Sequence, residues 1–111
     1  MSPITTHVLD TALGRPAAGV PLILSKFGGG GWTHAGRGVT DADGRCRTLL
    51  KDGKSKKGVY RLTFNTAAYF KRTKQTSFYP SVSIVFQVRD AGHHHVPLLL
   101  SPWGYSTYRG S

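Results

Sequence analysis

Between Val82 and Arg89 almost every second residue is apolar: Val82, Ile84, Phe86 and Val88 point one way, and Ser83, Gln87 and Arg89 the other. A side-chain period of two marks a strand, because successive Cβ atoms leave opposite faces of the backbone. The same period recurs in Val20–Ser25, where Val20, Leu22 and Leu24 share a face, and in Val59–Phe64, where Tyr60, Leu62 and Phe64 do. In Ile4–Asp10 it sets Ile4, Thr6 and Val8 against Thr5, His7 and Leu9. In His93–Leu100 it separates His93, His95, Pro97 and Leu99 from Val96, Leu98 and Leu100. Such alternation fits antiparallel sheets with one face on a core.

Turn chemistry separates these runs. Gly14-Arg15-Pro16, Gly28–Gly31, Asp41-Ala42-Asp43-Gly44 and Asp90-Ala91-Gly92 are the sharpest breaks, since Asp tolerates and Gly freely enters the left-handed backbone region. Lys26–Gly38 and Lys51–Gly58 read as loops. The one helix candidate is Asn65–Arg72, with Asn65 or Thr66 as cap and Lys71 and Arg72 suited to the last turn. The spacing predicts a mainly β fold of about eight short antiparallel strands, a sandwich or a small barrel.

A chain of 111 residues suggests one domain, residues 1–111, with a core of its own. No apolar run approaches the ~18 residues of a membrane-spanning helix, so no membrane association is expected. Neither a signal peptide nor a peroxisomal address is visible. The lone cysteine, Cys46, excludes an intrachain disulfide and fits a reducing compartment, so a cytoplasmic location is expected. Fifteen Lys and Arg against five Asp give a net charge of +10. That balance suits a solvated basic surface, recruitment of a small anion, or a nucleic acid. The basic residues are spread along the chain, which weakens the last.

Five histidines fall at His7, His34 and His93–His95. A histidine suits general-base work near neutral pH. On a strand, at most His93 and His95 of the run can share an ion, and no Cys, Asp or Glu joins them at ligand spacing, so no metal is expected. Arg45, just after the Asp41–Gly44 turn, is either a solvated hairpin residue or a fixed cation aimed at developing negative charge. The tail Trp103–Ser111 is either an edge strand or a terminus built into a site. Its aromatics suggest base stacking, but Trp103, Tyr105 and Thr107 alternate away from Tyr108. No phosphate loop, nucleophile elbow or carboxylate pair is present.

Thr6-His7-Val8-Leu9-Asp10, Gly14-Arg15-Pro16-Ala17, Asp43-Gly44-Arg45, His93 to Pro102, and Tyr105-Ser106-Thr107-Tyr108-Arg109-Gly110-Ser111 together resemble the transthyretin-related family of 5-hydroxyisourate hydrolases. The resemblance runs from about Thr5 to Ser111, and the terminal Tyr-Arg-Gly-Ser separates the hydrolases from hormone-carrying transthyretins. It implies a two-sheet sandwich of eight strands with one short helix. It also implies a homotetramer, a dimer of dimers with sites at the dimer–dimer interface. The implied reaction is hydrolysis of 5-hydroxyisourate, the product of urate oxidase, to 2-oxo-4-hydroxy-4-carboxy-5-ureidoimidazoline without metal or organic cofactor. The catalytic residues it implies are His7, Arg45 and His95, with Tyr108 and Ser111 joining His7 and Arg45 in binding substrate. Where the family has His-Tyr-His this chain has His93-His94-His95, and alternation turns His94 away from His95. The glycine run after Phe27 is also unusual. Two other readings compete: a transthyretin-like carrier of a small aromatic anion without turnover, and a basic nucleic-acid-binding β-domain.

Overall fold

The computed structural model describes all residues, Met1–Ser111. Its elements are β1 (Ile4–Asp10), β2 (Arg15–Pro16), β3 (Pro21–Gly28), β4 (Gly31–Val39), β5 (Arg45–Cys46), β6 (Gly58–Phe64), α1 (Thr66–Arg72), β7 (Val82–Val88), β8 (His94–Ser101) and β9 (Gly104–Thr107). They form the two-sheet β-sandwich with one short helix that the alternation and the resemblance imply. One sheet runs β4-β3-β6-β7. The other has β1 at its centre, with β8 and then β9 on one side and the two-residue strands β2 and β5 on the other.

The faces follow the period-two reading. Leu22 and Leu24 of β3, Tyr60, Leu62 and Phe64 of β6, and Val82, Ile84 and Val88 of β7 are buried between the sheets. They meet Ile4 and Val8 of β1 and Val96, Leu98 and Leu100 of β8. Each such aliphatic or aromatic side chain contributes roughly 1.5–3 kcal/mol by leaving water. Phe86 is only partly buried and stacks on Tyr60 with ring centroids 5.9 Å apart.

Three features depart from the sequence reading. The β1–β8 pair is parallel, with Ile4 opposite His94 and Asp10 opposite Leu100, whereas the other strand pairs are antiparallel. Alternation reports which face a side chain takes and is blind to strand direction. Nine strands form where about eight are expected, because β2 and β5 are too short to show a period. Most of Lys26–Gly38 is also strand rather than loop: β3 continues to Gly28, and β4 returns antiparallel through a two-residue turn at Gly29 and Gly30, whose positive φ values of 59° and 82° favour glycine. Gly36 and Gly38 hide β4 from a hydrophobic pattern. Their missing side chains leave room for the Leu49 carbonyl and the Cys46 thiol.

α1 is capped as expected, the Asn65 side chain accepting the Ala68 N–H at 3.1 Å. It is tied to β1 through Asp10. Burial alone would raise the Asp10 carboxyl. The Tyr69 hydroxyl at 2.6 Å, the Leu13 and Ala12 amides and Gln75 together hold it below its ordinary value.

Candidate active site

Strand register assembles the site. Ile4, Thr6, Val8 and Asp10 point into the sandwich, so Thr5, His7 and Leu9 take the outer face of the first sheet. His7 lies directly opposite Arg45 across β1 and β5, and Thr5 directly opposite His95 across β1 and β8. Neighbouring strands are about 5 Å apart, so one outer face carries an arginine, two histidines and a hydroxyl within a few side-chain lengths.

The Asp41–Gly44 turn delivers Arg45. One Asp41 carboxylate oxygen accepts the Asp43 N–H at 2.9 Å and the Arg45 N–H at 3.0 Å. The Arg45 amide is the main reason the Asp41 carboxyl lies below its ordinary range. Gly44 has φ 76° and sits where a side chain would strike the Val8 carbonyl, so the turn presses against β1. His7 Nε2 lies 2.9 Å from the Asp43 carbonyl oxygen. A carbonyl only accepts, so His7 donates from Nε2 and keeps the Nδ1 lone pair free when neutral.

Thr5, Arg45, Arg47, His93, His95 and Ser111 line a depression of about 210 Å³ on this face. His7 stands beside it, outside the lining. Tyr108 is also outside: it is exposed and lines an adjoining recess of about 250 Å³ with Phe86 and Arg109, where His95 forms a shared wall. His94 points inward and is buried. Its Nδ1 is 2.8 Å from the Gly92 carbonyl, and Ser55 lies beside it. The alternation reading of His94 therefore holds, and the histidine run is not uniformly exposed. His34, on β4, belongs to the other sheet. Two larger hollows, of about 580 and 1000 Å³, contain no histidine. The second is lined by Lys26, Lys51, Lys54 and Lys56.

His95 is the most constrained group. Its Nδ1 lies 2.7 Å from Thr5 Oγ1, and His93 Nε2 approaches the same oxygen at 2.8 Å. The two rings lie 6.2 Å apart and 24° from parallel. Burial lowers the His95 pKa below its usual value. The Arg45 charge pushes it further down, and His93, His7 and Arg47 act in the same sense. Neutral imidazole, the form that accepts a proton, is thereby favoured near pH 7. With Arg45 lining the same depression, the face combines a base with a positive charge, a pair that can promote addition of water to a carbonyl.

Sequence reasoning passed over Thr5, and it left His93 without a role. The only available signal for either was their place on the His95 face. Gly110 belongs to the terminal segment that carries the resemblance, and it is held against His95. Its N–H donates to the His95 carbonyl at 2.9 Å, and an added Cβ would fall 2.6 Å from the His95 ring. Gly110→Ala is expected to lower kcat/KM at least tenfold by displacing the imidazole, with the thermal melt almost unchanged. Steady-state rates beside a melting curve check this, and wild-type turnover would remove Gly110 from the site.

A model of the HIUase/Transthyretin family matches residues 4–110. The 5-hydroxyisourate hydrolase of the mouse is 50% identical, over 99% of this chain and 96% of its own. The structure of Klebsiella pneumoniae 5-hydroxyisourate hydrolase superposes with a TM-score of 0.84 at 37% identity, covering 97% of this chain and 98% of its own. Sea bream transthyretin in complex with thyroxine superposes with a TM-score of 0.90, also at 37% identity, over 97% and 94% of the two chains. Backbone shape therefore does not separate the hydrolase from the thyroxine-bound transthyretin. On sequence and fold alike, the chain belongs to the HIUase/transthyretin family.

Proposed function

We infer that this protein is a hydrolase that opens 5-hydroxyisourate to 2-oxo-4-hydroxy-4-carboxy-5-ureidoimidazoline. The observation that carries the reading is the convergence of His7, Arg45 and His95, with the terminal Ser111, on one face of a transthyretin-type sandwich. The half-identical hydrolase relative supports it. In this reading residues 1–111 act as one domain.

Water attacks the ring carbonyl, and His95 or His7 takes its proton. Arg45 faces the negative charge that gathers on the carbonyl oxygen. The ring C–N bond then breaks, the nitrogen leaves with the proton held by the imidazolium, and the carbonyl carbon becomes a carboxylic acid that ionises. A placed base contributes roughly 10²–10⁴-fold and a preorganised donor a comparable factor. Ser111 holds the polar edge of the substrate from within the depression, and Tyr108 completes the site from the adjoining recess.

Assembly as a homotetramer agrees with the exposed position of the site. The depression opens away from the core, and β7 and β9 each leave one edge unpaired within the chain, so a second copy has both an edge to extend and a face to cover. No helix is long and apolar enough to cross a membrane. We place the enzyme in the cytoplasm on its one buried, unpaired cysteine.

The test is a coupled ultraviolet assay. Urate oxidase generates 5-hydroxyisourate in place, and the decay of its band is compared with and without the protein, since the compound also decays unaided. Acceleration that vanishes in His7→Ala and His95→Ala establishes the reaction. Saturable binding of an aromatic anion with no acceleration points instead to a carrier, which the sea bream superposition makes the strongest competitor.

The His95 environment gives a pH prediction. Its pKa is lowered, so the neutral base persists as pH falls below the ordinary histidine value of about 6.5. Histidine-resolved NMR titration is expected to show His95 gaining its proton below that value, and Arg45→Ala to move the midpoint upward. A wild-type midpoint at or above about 6.5 would mean that burial and the Arg45 charge do not govern this imidazole.

A further inference from the structure

We propose that Thr5 and His93 are positioning residues that decide which nitrogen of His95 is free, so that protonation of His93 switches the base off. Its consequence for turnover rests on the hydrolase reading, but the hydrogen-bond chain itself does not.

A threonine hydroxyl carries one proton. Both His93 Nε2 and His95 Nδ1 lie within 2.8 Å of Thr5 Oγ1, which makes no other hydrogen bond, so pairing the buried hydroxyl proton requires one ring to receive it while the other donates its own. Two arrangements satisfy the chain. In the first, Thr5 donates to His93 Nε2 and accepts from His95 Nδ1–H, which leaves a lone pair on His95 Nε2. In the second, His93 Nε2–H donates to Thr5, and Thr5 donates to His95 Nδ1. Neutral His95 then carries its proton on Nε2, where it can donate but not accept.

A protonated His93 has no lone pair at Nε2. It can only donate, and the second arrangement is then the one that keeps the buried Thr5 proton paired. His95 then loses its basic Nε2 although it is itself uncharged. The device is cooperative because Thr5 is almost wholly buried beneath the two rings, where little water can replace either partner. The charged groups around it are Arg45 and Arg47 from β5 and its extension, His7 from β1, and the Met1 and Ser111 ends of the chain. The Met1 ammonium is paired with Asp52. The arginines and His7 oppose a positive charge on His95.

The test combines a spectrum and a pH profile. In the ¹⁵N-histidine NMR spectrum of the wild type above neutral pH, His95 is expected as the Nδ1–H tautomer. It should change to Nε2–H in step with proton uptake by His93. Thr5→Val keeps the shape and removes the hydroxyl, and is expected to break that coupling and lower kcat about tenfold with little change in KM. Thr5→Ser restores both. In His93→Gln the amide oxygen accepts the Thr5 proton and does not titrate, so the acid limb of kcat/KM should fall with one proton instead of two and move to lower pH. An acid limb that superposes on the wild type, or a His95 tautomer indifferent to His93 and Thr5, overturns the proposal. If the protein proves to have no hydrolase activity, the spectrum decides alone: coupled tautomers support the chain and independent ones overturn it.

Discussion

Deletion of Tyr108–Ser111 is expected to lower turnover at least about a hundredfold, while the protein stays folded. The magnitude follows from what the four residues touch. Gly110 donates its N–H to the His95 carbonyl and packs closely against the imidazole, and Ser111 lines the depression together with Arg45. Misplacing the base and removing a substrate contact each cost a factor on the scale of ten to several hundred. The fold survives because β9 ends at Thr107, and its pairing with β8 from Ser101 to Leu98 does not use the deleted residues. Circular dichroism and a thermal melt beside the coupled assay check both halves. Full activity in the truncated chain would make the tail a spectator. A bulky tag fused after Ser111 is expected to cause much of the same loss without any deletion.

The sandwich was legible because burial on one side of a sheet imposes period two, and Ile4–Asp10, Val59–Phe64, Val82–Val88 and His93–Leu100 obey it closely. β4 was not legible. Gly36 and Gly38 are chosen there for the absence of a side chain, and a pattern read from apolar residues cannot register an absence. The parallel β1–β8 pairing was invisible for another reason: direction is set by how the intervening chain crosses the sandwich, and residue alternation is the same either way.

The site divides along similar lines. Alternation put His7 and His95 on outer faces of their own strands and sent His94 inward, but it could not bring β1, β5 and β8 together. The triad of His7, Arg45 and His95 came from resemblance, and register then placed the three on one face. The pairing of Thr5 with His93 and His95 has no signature in residue order, because a hydroxyl shared between two rings is a fact of distance. The net charge of +10 misleads if taken as a whole. Lys26, Lys51, Lys54 and Lys56 gather in a groove apart from the histidines, whereas Arg45 and Arg47 are the cations that line the depression with His93 and His95. Nor do the tail aromatics form a stacking platform: Tyr105 is engaged edge-on with Tyr79 at 5.5 Å.

Arg45→Ala is expected to lower kcat/KM about a hundredfold or more, with the fold intact. Arg45 lines the depression, and the bond from its backbone N–H to Asp41 fixes the point from which its side chain reaches the site before substrate arrives. Loss of one preorganised group facing a developing oxyanion costs roughly 10²–10³-fold, or about 3–4 kcal/mol. The substitution also has a second, opposing consequence. Arg45 is the strongest charge acting to lower the His95 pKa, so its removal makes His95 a better base once neutral, and one that neutralises at higher pH. Above neutral pH, where His95 is neutral in both proteins, the rate loss reports the oxyanion contact with only a small offset. At acid pH the loss deepens, because more of the variant's His95 is protonated. Arg45→Lys separates the two effects: it keeps the charge near His95 but lacks the planar fork. It should hold the His95 midpoint near the wild-type value while recovering only part of the rate. If instead Arg45→Ala turns over like the wild type across the pH range, the guanidinium has no part in the chemistry, and the carbonyl oxygen must be met by other donors on the same face.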